Sequence, residues 1–384
     1  MVEELNPLSD ELSINTIDFV CFATDDRFNI LNPQGAYLAF QKTQPIKAYK
    51  TEFIEDEEVL TDMGTFYLES WENKSEKSMQ MKGIDLIGIL ENTEFDGGIY
   101  DDVYATTLIS SIMTKANVSN YSTQGISTEK ITGYLPICTC REALQQVLFS
   151  IGAVADCSRS EKINIYKLAA AVTPTEITSD KVLKNTKEIK QGEMITGVSV
   201  KTHSYSLRIE TEILYEEKLS AGTYKIRFNS PASDLSIENG TIVESGANYA
   251  IITATGSGTT PSSKYRKQRN VKITGSIYDD LTSTITVTDG ETHDTTNILS
   301  VEDCTLINST NAETIATRIL NHYKNLYQDN FEMILGNEKA GDNVITEKSD
   351  INQLNGYITK LDIDMTGGFL ANAEVVAKVE ELNE

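Results

Sequence analysis

The residue types that do chemistry are present but scattered. The three histidines, His203, His293 and His322, are isolated from one another and none belongs to a metal-ligand pair. His203 falls in a strand-like run and His322 on the flank of a helix-like run. A lone imidazole so placed is expected to be a structural group held by hydrogen bonds. Cys138-Thr139-Cys140 together with Cys157 could offer three thiolates to zinc, but no CxxC pair or nearby histidine completes a tetrahedral set. CxC is also not the CxxC spacing of a redox pair. Five cysteines, counting Cys21 and Cys304, read as reduced and mostly buried thiols rather than a disulfide framework. The acidic pairs Asp101-Asp102, Asp279-Asp280 and Asp362/Asp364 could serve as acid/base couples or calcium ligands. Asp101-Asp102 is expected instead as charge at a helix N-terminus, and Asp362 and Asp364 share the solvent face of a strand. No stretch matches the calcium loop, and Walker, GxSxG, HExxH and GxGxxG patterns are missing. No catalytic, cofactor-binding or metal residue is therefore assigned, no cofactor is expected, and the chain reads as a non-enzyme. A glycosidase whose two carboxylates lie far apart in sequence leaves no spacing signature and stays open at this level.

The elements that would position these residues are mainly strands. Phe66–Trp71 alternates with aromatic residues, Glu72–Lys77 turns, and Met79 and Met81 resume the alternation, which predicts a hairpin. Ile17–Phe22 and Ala36–Phe40 read as further strands, and Ile84–Leu90 as a helical turn, so 1–92 reads as a small β-barrel or sandwich. From 93 to 188 the pattern is α+β. One helix is expected over Val103–Ala116 behind Asp101 and Asp102. Another begins at Thr139-Cys140-Arg141-Glu142, which has capping-box spacing, and ends at Gly152. A hairpin, Val154–Cys157 with Ile163–Lys167, follows. Thr196–Tyr205 reads as a strand, then 219–297 is rich in Ser, Thr, Gly and short strands such as Tyr224–Phe228 and Tyr249–Thr253. That segment reads as an inserted all-β module of sandwich type. A helix over Ala312–Tyr327, capped by Thr310, carries Ile315, Ile319, Tyr323 and Leu326 on one stripe. The chain ends in a hairpin turning at Thr366-Gly367-Gly368, with Phe369, Ala371, Ala373, Val375, Ala377 and Val379 on one face. The fold class is thus mainly β with α+β: two β-barrels (1–92; 189–218 with 298–384), an α+β region (93–188) and the insertion (219–297).

Charge narrows the partners. Over 384 residues, 33 Lys and Arg stand against 57 Asp and Glu, a net charge of −24. Such a surface repels phosphates, so stable binding to nucleic acid or anionic lipid is not expected. The most basic run, Lys264–Arg269 around Tyr265, reads as a solvated loop or as a contact for an acidic neighbouring subunit. The acidic start of the chain, with Glu3, Glu4, Asp10 and Glu11, is unlike a signal peptide. The most apolar stretch, Val147–Ala155, is far short of the ~20 residues of a membrane span. Synthesis in the cytoplasm without standard export is expected.

Particular segments carry a family resemblance. Gly64-Thr65-Phe66-Tyr67-Leu68-Glu69-Ser70-Trp71-Glu72-Asn73 and Met81-Lys82-Gly83-Ile84-Asp85-Leu86-Ile87-Gly88 resemble the first barrel of phage tail hub proteins. The run from Thr132 to Gln146, through Cys138-Thr139-Cys140-Arg141-Glu142, and its continuation Ile151–Ser160 are similar to the capped helix of clostridial prophage tail and baseplate proteins. The helix near 310–327 and the Gly356-to-Gly368 hairpin resemble that family's closing barrel. The likeness covers roughly 1–210 and 298–384 and is weak in the insertion.

The resemblance implies a homotrimeric ring in which each chain contributes two similar barrels. A pseudo-six-fold rim would meet the tail tube or distal tail protein, and the opposite face would carry a spike or fibre. The virion tail, or a tail-derived bacteriocin, would be the location. With the net charge it also predicts an acidic lumen. Some hubs carry a C-terminal peptidase or lysozyme region; this chain stops at Glu384, so wall hydrolysis is not expected of it. Two rivals remain: a carbohydrate-binding adhesin built on the insertion with tyrosines such as Tyr249 and Tyr265, and a tail-associated cell-wall hydrolase using separated carboxylates.

Overall fold

Alternating burial makes most of this chain strand, and the strands gather into one large sheet and several small ones. The computed structural model describes residues 1–29, 31–54, 57–168, 173–255, 269–293, 296–323 and 326–382. In the first region lie β1 (Val2–Glu4), β2 (Thr16–Phe22), β3 (Pro45–Ile54), β4 (Glu57–Ser75) and β5 (Ser78–Ile84), followed by a short helix α1 (Leu86–Ile89). The expected hairpin is β4–β5, with Trp71 opposite Met81. Ala36–Ala39 is a 3-10 turn rather than a strand. Met63, Phe66 and Leu68 of β4 are buried. The β3–β4 ladder slips by one residue beside Gly64, whose φ of +110° suits glycine at such a bulge.

The middle of the chain holds β6 (Glu94–Phe95), β7 (Gly98–Tyr104), α2 (Ala105–Lys115), β8 (Tyr121–Gln124), β9 (Lys130–Leu135), β10 (Cys138–Thr139), α3 (Cys140–Ile151), β11 (Val154–Asp156) and β12 (Ile163–Tyr166). The Thr139/Glu142 capping box is complete: Thr139 Oγ1 accepts from Glu142 N at 3.1 Å and Glu142 Oε2 accepts from Thr139 N at 2.8 Å. Gly152 closes α3 at φ +70°. Asp101 and Asp102 do not cap a helix. They lie in β7, α2 begins at Ala105, and Asp102 pairs with Lys130.

Next come β13 (Thr175–Glu176), β14 (Glu188–Gln191), β15 (Gly197–Leu219), β16 (Gly222–Arg227), β17 (Ala232–Glu238), β18 (Gly240–Gly246), β19 (Tyr249–Ala254) and β20 (Arg269–Thr288). The strand expected to stop at Tyr205 runs on to Leu219 and pairs with β20 along its length, through bulges after Leu207 and Ile213. The basic run is outside the described residues at 264–268. β21 (Ile298–Val301) adds a parallel edge beside β15. The chain finishes with α4 (Ala312–Tyr323), β22 (Tyr327–Ile334), β23 (Asn343–Lys348), β24 (Asn352–Asp364) and β25 (Leu370–Glu381). Thr310 does not cap α4; its hydroxyl donates to Asn308 Oδ1 at 2.5 Å.

The expected pair of barrels is corrected. Among the described residues no sheet closes on itself. Eleven strands form one open sheet with the main path β14-β22-β25-β24-β1-β2-β5-β4-β3. The stitch is β1, which pairs with β24 (Val2 opposite Asp362) and with β2 (Val2 opposite Thr16). One apolar core lines it, including Ile17 and Phe66 with Phe331, Ile358, Leu361 and Val375. A second core gathers α2, α3 and α4 with Val198, Val200 and Leu306. A third, around Ile226, Ile252 and Ile273, fills the space among β16–β20.

Candidate functional site

The β15–β20 ladder creates the only His–Asp pairing in which a buried ring is oriented by a carboxylate from a distant part of the described chain. Tyr205 stands opposite Asp280, which puts Asp280 diagonal to His203. His203 Nδ1 lies 2.8 Å from Asp280 Oδ2. The imidazole stacks on Tyr205, with centroids 6.1 Å apart and planes 4° apart, and Tyr205 tilts against Tyr134 at 5.5 Å. His203 Nε2 and the Tyr205 hydroxyl are both buried without a hydrogen-bond partner. Burial pushes the Tyr205 phenol up. No hydroxyl or thiol hydrogen-bonds to the ring among the described residues, so the pair has an orienting acid and an imidazole but no nucleophile. It ties β15 to β20 across the ladder.

The other singled-out residues are not brought together. His293 Nε2 meets Asp289 at 2.7 Å, and His322 packs edge-on to Tyr323 at 5.1 Å. Burial, then the Lys378 charge, pushes His322 down to about 4. The cysteines are free, and burial pushes Cys138 and Cys304 up to about 12 and Cys140 to about 11, so they are thiols and not thiolates at neutral pH. Asp279 pairs with Arg208 at 2.6 Å, whose guanidinium holds the carboxyl below its ordinary range. Asp364 accepts from Thr366 beside the turn. Among the described residues no three His, Cys, Asp or Glu are grouped to hold a metal ion, and no helix is long and apolar enough to cross a membrane.

What the sequence did not reveal is a joint of buried charge. Glu3, 1% exposed, accepts from Arg159 Nε at 3.0 Å. Arg159 also donates to the Glu338 carbonyl, and its φ of 50° marks a tight turn after β11. Asp156 accepts from Ser158 N at 2.7 Å and faces Lys339 at 3.3 Å. Asp85 caps α1, accepting from Gly88 N at 3.0 Å and from Asn15 N at 2.9 Å. Burial pushes Asp85 up to about 7 against those N–H bonds, and pushes Glu3 up against the pull of Arg159. Asp85 had a local signal, an acid just before an apolar helical turn. Glu3 had none, since it sits in an acidic N-terminal run that reads as solvated.

Among the described residues, the main path of the large sheet ends in two strands with a partner strand on one side only. β3 ends one side of the large sheet over ten residues, and β14, all exposed, ends the other. The β15–β20 ribbon is exposed on β15 from Ser206 to Ile213, with Ile209 98% exposed at the bulge. The β16–β19 module is tied back by Arg227 to Glu94 at 2.6 Å and by Asn248 Nδ2 to the Asp96 and Leu135 carbonyls at 2.9 and 3.0 Å.

No family model matches the sequence, and no curated protein matches it. Similar solved structures do exist. The tail protein from Neisseria meningitidis aligns with a TM-score of 0.54 at 9% identity, over 98% of this chain and 91% of that one. A 43 kDa prophage tail protein from Shewanella oneidensis aligns at 0.49 and 9% identity, over 97% and 92%. A prophage tail protein from Listeria monocytogenes aligns at 0.48 and 11% identity, over 100% and 88%. At such identities the likeness lies in the path of the backbone and not in the residues: this chain has the fold of the Neisseria tail protein over nearly the whole of both.

Proposed function

We propose that this chain is a structural component of a phage tail or tail-like particle. More finely, it is a hub subunit whose homotrimeric ring joins a six-fold tube to a three-fold spike or fibre and lines the channel. The observation that carries the reading is the shared fold with the Neisseria tail protein across nearly all of both chains. The two end strands of that path support the ring, because a ten-residue open strand is a standing invitation to pair and a closed ring removes it. In this reading 1–92 and 189–218 with 298–384 line the ring, 93–188 braces them, and 219–297 decorates the outside. The adhesin reading gains no support from Tyr249, since Lys225 Nζ covers its ring at 4.6 Å from the centroid. Negative-stain imaging with native mass determination tests the proposal. Three-chain particles with an axial hole are expected, at high concentration or with tube protein added. Monomers under both conditions would overturn the ring.

A further inference from the structure

Among the described residues, the core around Ile226, Ile252 and Ile273 has no member in common with the other cores. The module it fills joins the rest of the chain through the β15–β20 ribbon, whose β15 strand is exposed on both faces from Ser206 to Ile213. Leu207 faces Tyr278 and Thr211 faces Ser276, so Arg208, Ile209 and Glu210 stand against the single residue Ile277. Such a bulge bends its strand and takes backbone groups out of the ladder. Arg208 braces it through Asp279 at 2.6 Å and Glu212 at 2.5 Å. Beyond the ribbon, the described links from the module to the α+β region are ion pairs and hydrogen bonds. Asp96, just after β6, takes Lys115 of α2 at 2.8 Å on one oxygen and Lys225 of β16 on the other. Arg227 reaches Glu94 at 2.6 Å. Asn248, 2% exposed, donates through Nδ2 to the Asp96 and Leu135 carbonyls. Gly97, at φ +63°, makes room for that amide, since a Cβ there would lie 2.7 Å from Asn248 Nδ2.

We propose that the module is a hinged arm, held against the α+β region by this charged clamp and turning about the bulge at Arg208–Glu210 when the clamp opens. Relative motion is the expected behaviour of units joined by a small polar interface, whereas a shared apolar core would forbid it. Lys225 and Arg227 belong to the arm, and Glu94, Asp96 and Lys115 to the body, so the Asp96 carboxylate joins one cation from each side. Burial opposes its ionisation, yet the two ammonium groups hold the carboxyl below its ordinary range. Partly exposed pairs of this kind are weak singly and screened by salt. Low ionic strength therefore closes the arm. High ionic strength opens it, as does a basic partner that takes Asp96 and Glu94. The hinge goes beyond the proposed function and needs neither the ring nor the tail.

Single-molecule fluorescence transfer on the full chain tests this, at a dilution that keeps chains single. The dyes go on p-acetylphenylalanine placed at Ser111 of α2 and Val243 of β18, both exposed and one on each side of the clamp. High transfer is expected at about 50 mM salt, and the low-transfer population should grow at least about fivefold by about 500 mM. Lys225→Gln with Arg227→Gln should give a similar rise already at low salt. Glu94→Arg should do so in part, and adding Arg227→Glu should reverse it. Hydrogen exchange locates the hinge: peptides covering 204–214 should exchange faster in the Lys225→Gln/Arg227→Gln variant, while those covering 197–203 should not. Transfer indifferent to both salt and the double substitution would overturn the proposal, as would low transfer at every salt concentration. Faster exchange across 197–203 would also overturn it, because the arm would then leave by unfolding of the ladder and not by turning about the bulge.

Discussion

Asp85 is 2% exposed and accepts backbone N–H groups on both oxygens. Two effects oppose each other there: removal from water favours the protonated acid, and the N–H donors favour the carboxylate. Burial wins, placing the group at about 7 against an ordinary 3.8. The sign follows directly. Below about 3.8 the acid is protonated in both folded and unfolded chains, and its contribution is fully present. As pH rises toward 7 the unfolded chain releases its proton first, so stability falls, and above 7 the loss is complete. The gap spans roughly three pH units at about 1.4 kcal/mol each, a total of about 4 kcal/mol, of which about 2.5 falls between pH 5 and pH 8. Asp85→Asn removes the titration while keeping one acceptor for Gly88 N; its amide opposes Asn15 N at a cost of about 1–3 kcal/mol that does not vary with pH. Urea unfolding of both proteins across that range is the assay. The stability advantage of the natural chain over Asp85→Asn should shrink by about 2.5 kcal/mol from pH 5 to pH 8. Parallel curves would show that the two N–H donors hold the carboxylate ionised and that burial does not dominate.

His322 carries the opposite sign. Held down to about 4, it stays neutral in the folded chain while the unfolded chain takes up a proton below about 6.5, so its contribution is lost as pH falls from 6.5 through 4. His322→Gln should flatten that limb in thermal melts, and an unchanged slope would refute the assignment. Arg159→Met should cost about 3–5 kcal/mol by leaving Glu3 buried and unpaired, and Glu3→Gln added to it should recover most of the loss. If the double variant were no more stable than the single one in urea, Arg159 would be acting through the Glu338 carbonyl and not through Glu3.

Local signals in the sequence were legible where the deciding interactions are themselves local. The Thr139/Glu142 box, the Gly152 stop and the alternation of Ala371, Ala373, Val375 and Ala377 all read correctly, because each depends on residues a few positions apart. The facing strand shows where such reading fails. A bulge between Ile358 and Lys360 shifts the phase, so Ile358 and Leu361, three positions apart, are both buried, which unbroken alternation does not allow. β15 could not be followed past Tyr205 because residues 206–213 are exposed on both faces, which erases the period-two signal. The joint of Glu3, Arg159 and Glu338 depends on positions more than 150 residues apart, and the one open sheet depends on β1 meeting β24 across almost the whole chain.

That joint also explains how an open sheet keeps a defined shape. Apolar contacts alone would let the two strand sets on either side of β1 shear, since β1 is only three residues long and meets β2 through a single registered pair. Directional bonds remove that freedom. Glu3 of β1 holds Arg159, Arg159 holds the loop before β23, and Asn15, just before β2, is held by Asp85 through its N–H while its Oδ1 accepts from Glu4 N at 2.8 Å. Each link costs desolvation, so the joint adds less stability than its count of bonds suggests. What it contributes is a fixed angle between the β2–β5 strands and the β22–β25 strands, and hence between the edges β3 and β14. A closed assembly of identical copies requires that angle to be the same in every chain, because an error at one interface is repeated around the ring. Arg159→Met with Glu3→Gln therefore separates two quantities: folding recovers, while the ring proposed above fails to close or gives way to open oligomers in the same native mass measurement.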